Sequence, residues 1–243
     1  MREWMLLFFS FFTIIACQQN DKGNANINRL ESSDTNKVIV DSAKTPGSTD
    51  IALLQKNFTS LPDSAFVELA LYDENFKFDI KYATTDNFTK KRLYDCANCL
   101  LRKQVADTLF AAQQYLQKLG YGLLLFDCYR PLTVQQKMWE MVSNPIYVAD
   151  PAKGSMHNRG NAVDLTLYDL ASGKPLDMGT EFDFFGKEAH HAYQQLPKEV
   201  LKNRLLLKEI LEKFGFKSIT SEWWHYSYNA SVFPLSSTAV PCH

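Results

Sequence analysis

A short apolar run, Tyr121-Gly-Leu-Leu-Leu-Phe126, lies between a glycine and the sequence Asp127-Cys-Tyr-Arg130-Pro131. A run of this length with turn residues at both ends is typical of a strand in the interior of a sheet. Pro131 has no N–H to donate to a neighbouring strand, so the strand ends before it. The sequence therefore predicts a buried strand that places Asp127 and Arg130 at its end.

Three further segments have strand patterns. Residues 76–82 alternate apolar and charged side chains, with Tyr82 on the apolar side. Residues 162–167 predict a strand in which Asp164 shares one face with an alanine and a threonine, while valine and leucine occupy the other. The aromatic-rich stretch 216–228 predicts a closing pair of strands.

Three segments repeat apolar residues every three or four positions, as amphipathic helices do. They are Leu101–Leu119, Thr133–Val142 and Pro197–Phe214. Thr133 and Gln136 have the spacing of a capping box. The core face predicted for the third helix comprises Leu201, Leu205, Ile210 and Phe214. Because strands and helices mix without regular βαβ alternation, we predict an α+β fold with a largely antiparallel central sheet flanked by helices.

The chain has 243 residues, a net charge of −1 and 22% charged residues. This length accommodates one globular domain plus tails, and the charge balance provides no basic surface for nucleic acid. We expect the globular domain at residues 61–235 and a C-terminal tail at 236–243. The sequence does not determine the oligomeric state.

The N-terminus has the pattern of an export signal. Residues 1–16 combine Arg2 with an apolar stretch of roughly a dozen residues, too short for a permanent membrane span. Ile14-Ile-Ala-Cys17 resembles a bacterial lipobox, in which cleavage precedes the cysteine and its thiol is lipidated. On this interpretation residues 17–60 are a flexible tether. We expect a membrane-anchored lipoprotein of the bacterial cell envelope, periplasmic and at the outer membrane, although the sequence does not determine which membrane holds the lipid. A conventional signal peptide that ends near a cysteine is the alternative.

Four cysteines follow this segment: Cys96, Cys99, Cys128 and Cys242. Exported proteins keep disulfides, and four cysteines allow three pairings that the sequence does not rank. Cys96 and Cys99 have the spacing of a redox pair or of half a zinc site, but a second such pair is missing from the sequence. The sequence therefore favours structural bridges or free thiols.

Two islands of sequence supply two imidazoles and two carboxylates: Ser155-Met-His-Asn-Arg-Gly-Asn-Ala-Val-Asp164 and Ser221-Glu-Trp-Trp-His225. A catalytic zinc ion takes three protein ligands with N and O donors and leaves a fourth position for water. His157, Asp164 and His225 fit the ligands. Glu222 fits a base that takes the proton of the water. Asp164 also lies between apolar neighbours, where a carboxylate is costly to bury unless a positive charge balances it.

Each of these residues also has a structural interpretation. His157 could be a loop histidine, and His225 could be a core histidine beside two tryptophans. Asp164 could pair with Arg159. The spacing of Glu222 and His225 adds a difficulty, because residues three apart lie on opposite faces of a regular strand. A bulge or a strand end must bring both to one side.

The combined motifs resemble those of the D-alanyl-D-alanine dipeptidases, the VanX-like branch of the zinc DD-peptidases (peptidase family M15). Five ordered motifs between residues 76 and 228 carry the resemblance: Lys81-Tyr-Ala-Thr-x-x-Asn-Phe-Thr89, Asp127-x-Tyr-Arg-Pro131, Ser155-x-His-x-x-Gly-x-Ala-x-Asp-Leu-Thr166, Met178-Gly-Thr-x-Phe-Asp183 and Glu222-Trp-Trp-His225. The resemblance implies a DD-peptidase/hedgehog-like zinc peptidase fold and one Zn²⁺ per chain. It also implies hydrolysis of the free dipeptide D-Ala-D-Ala, in cell-wall peptide turnover or resistance.

The resemblance implies roles for further residues, beyond the three ligands and the base. Arg130 would stabilise the oxyanion, with a structural ion pair as the alternative. Asp183 would meet the free amino group of the substrate, and Tyr82 and Ser155 match pocket positions. Cys128 stands where the family usually has glycine, which places a larger, oxidisable group beside Arg130.

Two other functions stay open from the sequence. One is a DD- or LD-carboxypeptidase or endopeptidase that acts on peptidoglycan stem peptides with the same metal set. The other is a zinc-containing envelope lipoprotein that binds without catalysis. The segment Met178–Asp183 favours the dipeptidase, and the presence of Glu222 and Arg130 favours catalysis.

Overall fold

The computed structural model of the protein describes Phe58 and residues 60–242. The predicted signal peptide, Cys17 and most of the predicted tether lie outside these residues. In chain order the main elements are β1 (Phe66–Glu68), β2 (Lys77–Phe78), β3 (Leu100–Arg102), α1 (Lys103–Gln117), β4 (Tyr121–Asp127), α2 (Leu132–Met141), β5 (Ala162–Asp169), α3 (Lys198–Lys213), β6 (Phe216–Ile219) and β7 (Glu222–Tyr228). Among the described residues, no helix has the length and apolar character that crossing a bilayer requires.

Five strands form the central sheet in the order β2-β4-β5-β7-β6. β2 and β4 are parallel, whereas the other neighbours are antiparallel. The predicted α+β fold with a largely antiparallel sheet is therefore confirmed. β1 and β3 form a separate antiparallel pair. Both long helices and the two central strands contribute fully buried leucines to the core: Leu109, Leu116, Leu123, Leu125, Leu165, Leu167, Leu207 and Leu211.

A register shift at the end of β4 positions its last residue. Leu125 lies opposite Leu165, but the next pair joins Asp127 to Asp164. Phe126 is the extra residue of this bulge. Asp127 therefore lies beside Asp164, where it contributes to a polar cluster at the end of the strand.

The first two helices differ from their predictions at their ends. α1 begins at Lys103 because Leu100–Arg102 pairs with β1 as a strand. The predicted capping box at Thr133 is wrong, since the residue before α2 is Pro131 and no side chain caps the helix there. Proline is well suited to a helix start, because its fixed φ matches the helix.

The predicted core face of α3 is wrong at Leu205, which is 53% exposed. The buried stripe of α3 consists of Val200, Arg204, Leu207, Ile210 and Leu211. Arg204 lies within this stripe because its guanidinium donates to the carbonyl oxygens of Met178 at 2.7 Å and Glu188 at 2.9 Å. A prediction from apolar residues alone places every charged residue on the surface. It therefore placed Arg204 outside the core and displaced the predicted buried face of α3 around the helix axis.

Only Lys77–Phe78 of the strand predicted at residues 76–82 pairs with β4. The chain then forms a 3₁₀ turn at Lys81–Ala83. Burial follows the predicted alternation at Phe76, Ile80 and Tyr82, which are all buried, whereas Phe78 is only half-buried. Tyr82 therefore reaches the interior from a turn and not from a strand.

Two disulfides cross-link the described residues, Cys96–Cys242 and Cys99–Cys128. The structure thus selects one of the three possible pairings. Neither bridge joins the two cysteines of the Cys-x-x-Cys sequence, which agrees with the structural role that the sequence favours. The first bridge anchors the C-terminal tail.

Candidate active site

The three predicted metal ligands lie next to one another. Asp164 on β5 pairs with His225 on β7, and His157 lies on a 3₁₀ turn before β5. Nδ1 of His225 is 2.9 Å from Oδ1 of Asp164, and Nε2 of His157 is 3.3 Å from Oδ2. Two remote stretches of sequence thus form one cluster, whose ligand atoms all lie within 4.8 Å of one another.

The carboxylate of Asp164 stabilises positive charge on the imidazoles beside it. Burial alone would raise the pKa of Asp164, but the charges and hydrogen bonds of His157 and His225 hold it well below its usual range. Burial would lower the pKa of His157, but the carboxylate of Asp164 reverses this effect and raises it. Two imidazoles beside one buried carboxylate make the N, N, O donor set of a catalytic zinc site.

The orientation of His157 also fits a metal ligand. Nδ1 of His157 lies 2.7 Å from the carbonyl oxygen of Cys128, which can only accept, so Nδ1 carries the hydrogen. Nε2 is then the nitrogen that faces Asp164 and His225. Metal-bound histidines are commonly held this way, with the second ring nitrogen donating to a carbonyl or carboxylate.

Gly160 makes the approach to β5 possible. Its φ is +72°, in the left-handed region that favours glycine. A Cβ at this position would lie 2.6 Å from the ring of Phe66 and 3.2 Å from the backbone nitrogen of Arg102. The short path from His157 to Asp164 therefore depends on a residue without a side chain.

Glu222 and His225 reach the same pocket because β7 is irregular at its start. Ser218 pairs with Tyr226, but the next residue, Ile219, pairs with Glu222. Residues 223–225 therefore have no partner in the register with β6, although His225 pairs with Asp164 on β5. This is the irregularity that the three-residue spacing of Glu222 and His225 required. Burial raises the pKa of Glu222 to about 7, a value suited to proton transfer near neutral pH.

Arg130 is a buried cation in the wall of the pocket. Its Nε and Nη2 donate to Oδ2 of Asp127 at 3.0 and 2.6 Å, and its Nη1 donates to Gln135 at 3.0 Å. Burial would lower the pKa of Arg130, but the charge of Asp127 outweighs it and raises the pKa. Nη2 is also 3.9 Å from Oδ2 of Asp164. Arg130 thus forms a structural ion pair and at the same time presents a fixed charge beside the ligand cluster.

Asp183 lines the same pocket in an uncommon backbone conformation. Its φ is +61°, which aspartate and asparagine tolerate better than most residues. Tyr82 donates a hydrogen bond to its carboxylate, and burial raises the pKa of Asp183 to about 8. Ser155 also lines the pocket, and its hydroxyl lies 3.1 Å from Oδ1 of Asn158 within the same loop.

One cavity of about 190 Å³ contains all eight predicted site residues of the folded domain. Pockets for drug-sized ligands measure about 300–1,000 Å³, so this one suits a smaller molecule. Its apolar wall includes Phe88, Met138, Ile146, Tyr147 and Trp224. A larger cavity of about 620 Å³, lined in part by Phe182 and Trp223, contains none of the predicted site residues.

Four residues that hold the site in place had no predicted role. Asp127 and Gln135 bind the guanidinium of Arg130. Tyr94 donates to Oδ1 of Asp127 at 2.7 Å, and Asn158 donates to the carbonyl oxygen of Arg130 at 2.7 Å. Asp127 had a signal in the sequence, because it is a carboxylate at the end of an apolar run. Gln135 lies only five residues after Arg130, but a glutamine in a helix has no pattern that marks it as a partner of that guanidinium. The contacts of Tyr94 and Asn158 join distant segments and leave no local pattern.

The fold and the site have the features of a metal-dependent peptidase: an α+β fold, a His-Asp-His cluster and a separate buried glutamate. A family model described as Peptidase_M15, D-ala-D-ala dipeptidase, matches residues 63–240. The chain therefore belongs to the D-Ala-D-Ala dipeptidase family of the M15 peptidases, and it is an enzyme.

Curated relatives support the family assignment. The D-alanyl-D-alanine dipeptidase of Escherichia coli (strain K12) is 38% identical over 177 residues, which cover 72% of this chain and 91% of the relative. The D-alanyl-D-alanine dipeptidase of Enterococcus faecium is 34% identical over 185 residues, covering 68% and 92%. A solved structure, VanYB in complex with D-Alanine-D-Alanine, is 16% identical with a TM-score of 0.37, over 54% of this chain and 72% of that chain.

Proposed function

We propose that the protein hydrolyses the free dipeptide D-Ala-D-Ala to two D-alanines with one Zn²⁺ per chain, in cell-wall peptide turnover or resistance. One observation carries the proposal. The ligand cluster, Glu222, Arg130 and Asp183 all line a single cavity of about 190 Å³. The cavity therefore brings a metal site, a base, a cation and an anion within reach of one small substrate.

His157, Asp164 and His225 would hold the zinc ion. When bound, zinc supplies Lewis-acid chemistry, because it polarises a carbonyl group and lowers the pKa of coordinated water toward about 7. The carbonyl oxygen of Cys128 orients the imidazole of His157 for this purpose.

Glu222 moves the protons of the reaction. It accepts one proton from the attacking water and delivers one to the nitrogen of the leaving amine, so the carboxylate is ionised again at the end. Burial raises the pKa of Glu222 to about 7. Both protonation states are therefore accessible near neutral pH, as a group that acts first as base and then as acid requires.

Arg130 stabilises the negative charge that develops on the carbonyl oxygen of the scissile bond. Asp127 and Gln135 hold its guanidinium before the substrate binds. A charge that is already in position needs little reorganisation during the reaction, and this makes it effective.

Asp183 binds the ammonium group of the substrate, with its carboxylate oriented by Tyr82. A buried carboxylate with a raised pKa gains from a cation. An N-acylated peptide has no ammonium and leaves this carboxylate buried without a partner. Asp183 therefore restricts the enzyme to free dipeptides.

Two measurements on the purified protein test the proposal: steady-state kinetics with dipeptides and analysis of the bound metal. We expect hydrolysis of D-Ala-D-Ala, with N-acetyl-D-Ala-D-Ala and L-Ala-L-Ala as poor substrates, and one zinc per chain. Glu222→Gln should keep its zinc and lose roughly 10²–10⁴-fold in kcat. Glu209→Gln, an exposed carboxamide control on α3, should keep full activity.

Two outcomes would contradict the proposal. Preferred cleavage of the N-acetylated dipeptide would indicate a carboxypeptidase that acts on stem peptides. Zinc binding without hydrolysis of any dipeptide would indicate a binding lipoprotein.

The cellular location is part of the proposal. Residues 1–16 and Cys17 support an outer-membrane lipoprotein of the bacterial cell envelope. The two disulfides are compatible with export to an oxidising compartment. Labelling of cells with a fatty-acid analogue should mark the wild-type protein and not Cys17→Ser, which should leave the membrane fraction. Absence of label from the wild type would indicate a conventional signal peptide.

A further inference from the structure

The segment 128–130 is hydrogen-bonded to the turn that carries His157. The carbonyl oxygen of Cys128 accepts from Nδ1 of His157 at 2.7 Å. The backbone nitrogen of Arg130 donates to the carbonyl oxygen of His157 at 3.1 Å, and Asn158 donates back to the carbonyl oxygen of Arg130 at 2.7 Å. Movement of this segment would therefore move a metal ligand and the oxyanion cation together.

The other side of the same segment is attached to β3. Tyr129 donates to the carbonyl oxygen of Leu100 at 2.9 Å, and Cys128 is bonded covalently to Cys99. The backbone of Cys99 is itself held, since its nitrogen donates to Oε1 of Glu68 at 3.0 Å. Both cysteines are buried, with exposures of 0% and 2%. The bridge thus ties the segment to a fixed part of the fold.

We propose that the Cys99–Cys128 disulfide is a positioning element of the metal site: it holds the carbonyl oxygen of Cys128 against His157 and so couples metal affinity to the oxidation state of this bridge. The proposal rests on the zinc site of the proposed function. Groups that orient a metal-bound histidine typically change metal affinity about 10- to 100-fold when they are removed.

The chemistry of the switch is thiol–disulfide exchange. Two molecules of a thiol such as glutathione break the S–S bond and supply two electrons and two protons, which leaves two cysteine thiols and one molecule of glutathione disulfide. Cys128 then keeps its backbone hydrogen bonds but loses the covalent link to Cys99. Its carbonyl oxygen is consequently less well fixed against the imidazole.

The second disulfide provides a matched control. Cys96–Cys242 spans 146 residues of sequence, whereas Cys99–Cys128 spans 29. In the chain-entropy account the longer loop gives the larger stabilisation. Cys242 is exposed and lies in the tail, outside the cavity. The tail touches this region through Thr238, whose carbonyl oxygen accepts from the phenol of Tyr129 at 2.9 Å, and through Ser236, whose nitrogen donates to the carbonyl oxygen of Asn158 at 2.9 Å. A general loss of stability, or a loosening of these tail contacts, would thus affect the Cys96–Cys242 variant at least as much. Loss of the covalent link that fixes the carbonyl oxygen of Cys128 would affect only the Cys99–Cys128 variant.

Zinc affinity measured by competition with a chromophoric chelator compares the two bridges. Cys99→Ala/Cys128→Ala should bind zinc about 10- to 100-fold more weakly than the wild type. Cys96→Ala/Cys242→Ala should bind with unchanged affinity. Equal affinities of all three proteins would overturn the proposal. A wild type that binds no zinc would instead refute the proposed function.

A second measurement uses the unmodified protein and does not depend on the folding of a variant. By linkage, a bridge that strengthens zinc binding must itself become harder to reduce, by the same factor, when zinc is bound. In glutathione redox buffers, followed by alkylation and mass spectrometry, saturating zinc should lower the reduction equilibrium constant of Cys99–Cys128 about 10- to 100-fold and leave Cys96–Cys242 unchanged. No effect of zinc on the Cys99–Cys128 equilibrium would overturn the proposal.

Discussion

The phenol of Tyr82 donates a hydrogen bond of 2.8 Å to Oδ2 of Asp183. Tyr82 is 2% exposed and packs edge-on against the rings of Phe88, Tyr94 and Phe182. The carboxylate of Asp183 is therefore oriented by a side chain that belongs to the core, although Asp183 itself lies in a loop. A carboxylate held in this way keeps its geometry when the pocket is empty, which would lower the cost of binding the ammonium group that we propose for it.

Asp183→Asn removes the charge and retains a residue that tolerates the positive φ. We expect kcat/KM for D-Ala-D-Ala to fall about 10- to 100-fold, mainly through KM, because a hydrogen bond to a charged group is lost. Steady-state kinetics on free and N-acetylated dipeptide should show that the preference for the free amine shrinks. An unchanged preference would remove Asp183 from amine recognition.

The pH profile should have a steep acid limb. Burial raises the pKa of Glu222 to about 7 and that of Asp183 to about 8. Both must be ionised to act, so kcat/KM should rise with pH and log kcat/KM should approach a slope of 2 on the acid side. A bound cation favours both ionised forms and shifts this limb to lower pH. Asp183→Asn should reduce the limiting slope to 1. A slope of 1 for the wild type would contradict the assignment of the acid limb to both Glu222 and Asp183.

Variants of the Arg130–Asp127 ion pair can separate the contribution of Arg130 to stability from its contribution to catalysis. Arg130→Gln should destabilise the protein by about 3–5 kcal/mol, because it leaves a buried carboxylate without its cation. Adding Asp127→Asn should restore part of this stability in urea unfolding. Turnover should stay low in the double variant, since the oxyanion cation is still missing. Recovery of turnover along with stability would limit Arg130 to a structural role.

Glu68 should make the folded state less stable as the pH rises. Burial raises its pKa from 4.5 to about 7, and within the described residues its Oε2 has no hydrogen-bond partner. The folded state binds the proton of Glu68 more tightly than the unfolded state does. The contribution of this proton to the free energy of unfolding is therefore complete below pH 4.5 and is lost as the pH rises through 7.

Glu68→Gln should therefore be about 1–3 kcal/mol more stable than the wild type at pH 8 and similar to it near pH 5. Urea unfolding of the zinc-free proteins at both pH values measures the difference, with Glu209→Gln as an exposed control. An equal gain at both pH values would point to packing instead of ionisation.

The amino-acid sequence by itself determined the chemistry of the site. A buried strand before Asp127, a carboxylate at Asp164 between apolar neighbours, and a Glu-x-x-His unit at residues 222–225 are all local patterns. Residue type and periodicity act over a few positions, and this is the range over which strands, helices and ligand motifs are specified. The α+β fold and the choice of His157, Asp164 and His225 as candidate ligands followed from these patterns.

The tertiary structure alone decided how these pieces meet. The register shifts that align Asp127 with Asp164 and turn Glu222 toward His225 come from strand pairing. The choice of Cys99 as the partner of Cys128 also depends on the approach of β3 to the end of β4. Such contacts join residues that are far apart in sequence, and their free energy depends on the packing of the whole domain. A local pattern carries no record of that packing.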